Sequence, residues 1–439
     1  MDVVKNSKSY EKRKNEDFEN ILKMVVYSFM GVIIFFIPIN INNEFKTILY
    51  HISDTIQRNY NNFLEISIVI YSFLIILKNY KEKNKSKITI FLKFLSLLIL
   101  ISLFYSETSL FIKDENTILI IKTIVFNLIT VLPISSIFMP FILEYGLLEI
   151  VESYFHPIMK KLFRISGKSF LNLLIFLFTD CFCGCYMATI LYNKGKLRLN
   201  ELYTIILNFS IMSFSMMIYT YNELKLNKIS FFIVMVLIMI LSNIIICRLY
   251  PLNKVKKSYF IKSEYKETIH KKDRLKSGIK KYLSNKNNKK LYLHILDNLE
   301  GSISISINLI SNIVIIFFLS EILLNNETAI YTLSKIFYPI INLLNLNDVY
   351  LLSKSIIRIL YNDIMTIEWI TLSVVYNTRF LMGILLSLGG ISLTSNIAYL
   401  ISTPLKFDIK KVIVVYLERI CIILLLYSFI YYYYVGYIT

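Results

Sequence analysis

Two aspartates stand in stretches otherwise apolar enough to enter a lipid bilayer. Asp180 lies in Phe178-Thr179-Asp180-Cys181-Phe182-Cys183-Gly184-Cys185, and Asp363 follows Asn362 in a second such stretch. A carboxylate at membrane depth can carry a proton, hold a cation or accept an N–H or O–H from a solute. The structural alternative is an ion pair, for which Lys354 and Arg358 stand within two or three turns of Asp363. Asn208, Ser210, Ser213 and Ser215 in one apolar segment, and Thr394 and Ser395 in another, offer amide and hydroxyl groups. Such groups suit a neutral, hydrogen-bonding solute, although hydroxyls also serve as small packing residues between membrane helices. Cys181 and Cys185 share a helical face while Cys183 points away, which is a poor tetrahedral set. They read as small apolar filler, so no metal and no cofactor is expected, and a metal channel built on them is the weakest reading. No Walker loop occurs and the four histidines are scattered, so neither an ATP-driven pump nor an enzyme has residues to build on.

The elements that must position these groups are membrane helices. The chain has 439 residues, of which 56% are hydrophobic, and several apolar runs reach the length needed to cross a bilayer. The net charge of +18 is concentrated in a few loops. That pattern marks cytoplasmic retention rather than nucleic-acid binding. Residues 1–20 read as a cytoplasmic arm, and residues 21–130 as N-terminal spans at about 21–41, 63–77, 88–104 and 118–143. Asp54 and Arg58 are placed in an external loop between the first two. The apolar stretch that begins near Ile21 is read as a retained span, not a cleaved leader.

A first repeat is assigned to 131–250. It opens with Glu144 to Phe163, read as an amphipathic helix lying on the membrane, with Glu149, Glu152 and Lys160 off its apolar stripe and a break or bend at Pro157. The segment from Lys168 to Tyr192 is basic on both flanks, so it should enter and return as a re-entrant hairpin, with Asp180 and Gly184 near the tip. Spans follow at 202–219 and 229–247. Residues 251–300 form a basic cytoplasmic loop, with fourteen Lys or Arg between 251 and 290, read as a linker with some helix. Residues 301–439 form a second repeat, with spans at 302–323, 381–401 and 412–433. Phe337-Tyr338-Pro339-Ile340 echoes Phe155-His156-Pro157-Ile158. Asp180 lies 23 residues after Pro157 and Asp363 lies 24 after Pro339, with Ser213 and the Thr394-Ser395 pair in matching later places. The charge rule then sets the repeats in opposite orientations across the membrane, an architecture of secondary transporters.

The run Leu132-Pro133-Ile134-Ser135-Ser136-Ile137-Phe138-Met139-Pro140, then Glu144-Tyr145-Gly146-Leu147-Leu148-Glu149 and His156-Pro157-Ile158-Met159-Lys160-Lys161-Leu162-Phe163, resembles the YjiH family of bacterial membrane proteins. So do Gly184, Thr189, Tyr192, Lys194-Gly195-Lys196, Glu201, Phe209-Ser210 and Ser213. The resemblance covers about residues 130–220 and implies a nucleoside-recognition, or gate, domain similar to those of concentrative nucleoside transporters, the ferrous-iron transporter B and spore maturation proteins. This chain departs from the pattern at Cys181-Phe182-Cys183 and at Leu207-Asn208.

The expectation is therefore an all-α, polytopic integral membrane protein with about nine transmembrane helices and two re-entrant gate repeats in inverted orientation. It would be a multi-pass protein of the bacterial inner membrane with a cytoplasmic N-terminus, working as a secondary permease for a small polar or nucleoside-like solute. The alternative is a non-transporting component of sporulation or envelope assembly that acts through a protein partner or as a homo-oligomer.

Overall fold

Crossing roughly 30 Å of hydrocarbon takes about 20 apolar helical residues. In the computed structural model seven helices meet that requirement among the described residues: Glu16–Phe36, Ile48–Leu77, Lys87–Tyr105, Thr117–Leu143, Lys228–Ile246, Leu291–Leu324 and Ile409–Tyr433. Large apolar side chains such as Phe63, Phe91, Ile229 and Phe429 stand exposed on them, as a helix facing lipid requires. The structure describes residues 2–41, 44–81, 87–106, 111–112, 114–261, 273–284, 289–361, 366–367, 370, 375–389, 393–403, 405 and 407–435.

In chain order the elements are α1 (Asp2–Phe36), the hairpin of β1 (Pro38–Ile41) and β2 (Glu44–Thr47), α2 (Ile48–Lys81), α3 (Lys87–Tyr105) and α4 (Glu115–Leu143). Then come α5 (Leu147–Phe163), α6 (Ser169–Phe178), α7 (Cys181–Asn193), α8 (Leu199–Asn208), α9 (Phe214–Glu223), α10 (Lys228–Ile246) and α11 (Arg274–Ser284). The remainder is α12 (Leu291–Leu324), α13 (Glu327–Ser334), α14 (Tyr338–Leu343), α15 (Val349–Tyr361), α16 (Tyr376–Gly389), α17 (Leu393–Ser402) and α18 (Ile409–Val435). Helices α12, α16, α17 and α18 start 176–181 residues after their counterparts α4, α8, α9 and α10. Counterparts also pack on each other: α4 lies along α12 and α10 along α18, while α8 on α18 is matched by α16 on α10. Small residues let the central pair approach, with Ser302 Oγ donating to Ser136 Oγ at 2.8 Å and Tyr186 closing over Gly301.

The helices α6 to α9, α16 and α17 have only 10 to 14 residues, about 15–21 Å each, so none can cross alone. Helix α6 stops at Thr179 and the chain turns back into α7. Asn172 Nδ2 then donates to Gly184 O at 3.1 Å between the two arms. At the open end Lys168 Nζ donates to Lys196 O at 2.9 Å, so both flanks lie at the same end of the hairpin. Gly184 sits one turn inside α7, not at the tip. A Cβ there would lie 2.6 Å from the Phe176 ring, so the glycine is what lets the arms close. Residues 202–219 differ from the single span expected: α8 ends at Asn208 and α9 begins at Phe214, leaving 209–213 unwound. The 381–401 span is likewise divided between α16 and α17, and residues 390–392 lie outside the described ones.

Three further expectations are corrected. Asp54 and Arg58 lie within α2, whose helix starts at Ile48 and kinks at Tyr60, so they are not in a loop, and the short β-hairpin lies between α1 and α2. Helix α5 runs unbroken through Pro157, and its acids are not in water: Glu149 is 5% exposed and Glu152 2%. The face assigned to solvent is covered by the hairpin base and by α11. Gly278 of α11 comes within van der Waals reach of the α5 backbone, while Lys281 Nζ pairs with Glu152 at 3.1 Å. The basic loop is therefore partly a docked element. Its other piece joins α8, where Leu199 N donates to Ser258 O at 2.8 Å and the Arg198 guanidinium lies over Tyr259.

Glu152 also lies 3.9 Å from the buried ammonium of Lys168, so one carboxylate serves the hairpin base and the loop helix together. Burial pulls the Lys168 amine down to about 8, with Glu152 partly opposing it. Burial alone would raise the Glu144 carboxyl, but Lys196 and Lys194 outweigh it and hold it below its ordinary value. These opposed charges fasten the open end of the hairpin to α4 and α5.

Two outcomes follow from this arrangement. In a cysteine-free background, Lys161→Cys and Asn193→Cys should both react with a membrane-impermeant maleimide from one face, and Asn40→Cys from the other. Labelling of the first two from opposite faces would mean that α6 and α7 run through the membrane. Removing one partner of a buried ion pair costs about 3–5 kcal/mol. Glu152→Gln should thus lower the melting temperature in detergent strongly, and adding Lys168→Met should recover most of the loss. Equal melting of single variant and parent would show that the cluster carries no stability.

Candidate functional site

The tip of the hairpin faces a cavity of about 450 Å³. That is within the usual range for small-molecule sites, about 300–1,000 Å³. One wall is the apolar face of α4, including Leu119, Ile124 and Leu128; another is the unwound segment and the start of α9, with Ile211, Met212, Ser213 and Met216. Tyr50 of α2, Asp180 and Cys181 of the tip, and Ser395 of α17 complete it. The N-terminal helices, the hairpin tip, the unwound segment with α9, and α17 thus meet at one volume.

Asp180 is placed by the helix it starts. As the N-cap of α7 its Oδ1 accepts from Cys183 N at 2.7 Å, filling one of the donors that a helix start leaves open. Its Oδ2 accepts from Tyr50 Oη at 3.3 Å. A carboxylate offers about four lone-pair directions.

Asn396 of α17 is the second organising residue. It is fully buried, and its Nδ2 donates to Ser210 Oγ at 3.1 Å and to Tyr416 Oη, while its Oδ1 receives weak S–H contacts from Cys181 and Cys185. The unwound segment is held to α16 by its backbone as well, Met212 N donating to Ser387 O at 3.1 Å. Arg419, buried in α18, reaches Leu207 O at the end of α8 at 3.4 Å. No carboxylate pairs with it among the described residues.

Of the residues chosen from sequence, Asp180, Ser213 and Ser395 line the cavity. Ser210 does not line it and accepts from Asn396 instead. Asn208 points elsewhere, donating to Asn243 O on α10 at 2.9 Å, and so serves packing. Ser215 bonds Ser213 at 3.2 Å without lining the cavity, and Gly184 is a packing glycine. Asn362 and Asp363 lie outside the described residues, as does the side chain of Thr394. Lys354 and Arg358, the partners considered for Asp363, both pair with Glu327, at 2.6 and 3.3 Å. Cys181 and Cys185 lie with sulfurs 3.9 Å apart while Cys183 turns to Ser135. No group of three or more His, Cys, Asp or Glu side chains suited to a metal occurs among the described residues.

Tyr50, Asn127, Asn396 and Arg419 were missed. Arg419 carried a usable signal, as a charge in the middle of an apolar run. Asn396 stood in a polar run with no cue to its partners, and nothing marked Tyr50 or Asn127, which line the cavity from distant parts of the chain. Asn127 is oriented by Gln57, whose Nε2 donates to it at 3.1 Å.

The chain is similar to an uncharacterized protein of Alkalihalophilus pseudofirmus, 23% identical over 274 residues, which are 57% of this chain and 58% of that one. The similarity therefore spans under two thirds of the relative's length. No family model matches the chain, and no solved structure matches it.

Proposed function

We propose that the protein is a secondary permease of the bacterial cytoplasmic membrane, its N-terminus in the cytoplasm and its two gate repeats inverted with respect to each other. The observation that carries this reading is the cavity itself. It opens where a hairpin too short to span, a helix broken at 209–213 and the divided helix of the second repeat come together. Helices that stop inside hydrocarbon are costly unless they line a polar path or site, and solute sites of transporters lie where discontinuous helices of two repeats meet. The basic loop after α10 supports the orientation, since it places α12 running outward while α4 runs inward. The resemblance of residues 130–220 to gate domains of the YjiH family supports the same assignment, with a small polar or nucleoside-like solute as cargo. In this reading Asp180 couples or binds, and Ser213 and Ser395 line the path.

The test is flux through reconstituted liposomes of a panel of labelled nucleosides and small amines, driven by an imposed proton or sodium gradient. Asn caps a helix as well as Asp does. Asp180→Asn should therefore keep α7 intact yet reduce flux about tenfold or more, the scale of one lost hydrogen bond to a charged group. Flux unchanged in Asp180→Asn would remove that residue from the path. Absence of flux for every solute under both gradients would overturn the permease.

A further inference from the structure

We infer that the cavity is selective for an organic cation, a protonated amine carried on an apolar body. This deepens the permease reading and rests on the same cavity. Among the described residues that line it none is Lys, Arg or His, and one, Asp180, is acidic. An anionic solute would meet a carboxylate in a low-dielectric site with no counter-charge, and is rejected. A neutral solute would find hydroxyls but bring no opposite charge to the Asp180 carboxylate, which accepts from Cys183 N and Tyr50 Oη. An ammonium group donates to the carboxylate and balances its charge. Tyr50 and Tyr219 add aromatic rings to the cavity wall, which suit a cation. The other walls decide the rest of the ligand. The side chains of α4 that reach the cavity are mostly Leu and Ile, and Met212 and Met216 face them with adaptable thioethers. A strongly hydrated inorganic ion would gain nothing from those walls, whereas an alkyl or aryl body would be desolvated against them.

Three near-isosteres separate charge from shape: 2-phenylethylamine, 2-phenylethanol and 3-phenylpropionate. Titrated calorimetrically into the full chain in nanodiscs, with empty nanodiscs subtracted, the amine should bind about tenfold or more tightly than the alcohol, and the carboxylate most weakly. Asp180→Asn should bring the amine down to the affinity of the alcohol and leave the alcohol unchanged. Tyr50→Phe, which keeps the ring and the carboxylate, should retain the preference for the amine. Equal binding of amine and alcohol, a preference for the carboxylate, a preference that survives Asp180→Asn, or no binding of the amine up to ~10 mM would overturn the inference. The two readings fail separately. Amine selectivity without flux of any solute would sink the permease and leave the site. Asp180-dependent flux of a neutral nucleoside without amine selectivity would do the reverse.

Discussion

A helix that ends in an apolar interior exposes four N–H or four C=O groups with no water to take them. The structure depends on how those ends are met. At the hairpin tip the Asp180 carboxylate takes the Cys183 N–H, and Thr179 Oγ1 folds back to Ile175 O at 2.6 Å. In the unwound segment after α8, Met212 N finds Ser387 O of α16. Leu207 O receives the Arg419 guanidinium, and Ser210 receives the Asn396 amide. These ends are thus partly completed by residues 175–212 positions away, so the broken helices and their association with α16, α17 and α18 stabilise each other.

The hairpin is held unequally along its length. Its base is bound by buried charges, with Lys168 and Lys196 against Glu144, Glu149 and Glu152, and by a glycine contact too close for any side chain, Gly167 on the backbone of α5. Its tip has one hydrogen bond to α2, at 3.3 Å, and weak sulfur contacts to Asn396. Breaking the base leaves unpaired charge in a dry site, whereas releasing the tip exchanges a few weak contacts for others. Motion of this element is therefore expected at the tip, where the cavity is, with the base as the fixed end.

The sequence was legible where length and charge decide the outcome. Seven apolar runs became long helices, and basic residues on both flanks of 168–192 foretold the hairpin. It was not legible where the outcome depends on which face a distant element covers. The acids of α5 look the same in sequence whether water or Lys168 and Lys281 lies beyond them. Asn208 and Asn396 are equally polar in equally apolar company, yet one closes a packing contact with α10 and the other joins α17 to the unwound segment and α18. Their partners lie 35 and 186 residues away, beyond the reach of any local pattern. The unwinding at 209–213 was hidden for a related reason: Phe209-Ser210-Ile211-Met212-Ser213 has no Gly or Pro, and only the tertiary bonds keep it from continuing as helix.

The cavity also explains the role of the helices that precede the repeats. The hairpin, α9 and α17 alone would supply Asp180, Ser213 and Ser395 but would leave the carboxylate without its bond from Tyr50. Helix α2 supplies that bond, and the polar ladder one face further along it, Ser53 and Gln57, bonds Thr130 and orients Asn127 of α4. Helix α2 is also the least buried of the seven long helices, 17% against 56% for α12. This peripheral helix is nevertheless tied to the central α4–α12 pair, through the Ser53 and Gln57 bonds to α4 and its packing on both helices. The bonds that seat α2 on α4 therefore also hold Tyr50 beside Asp180.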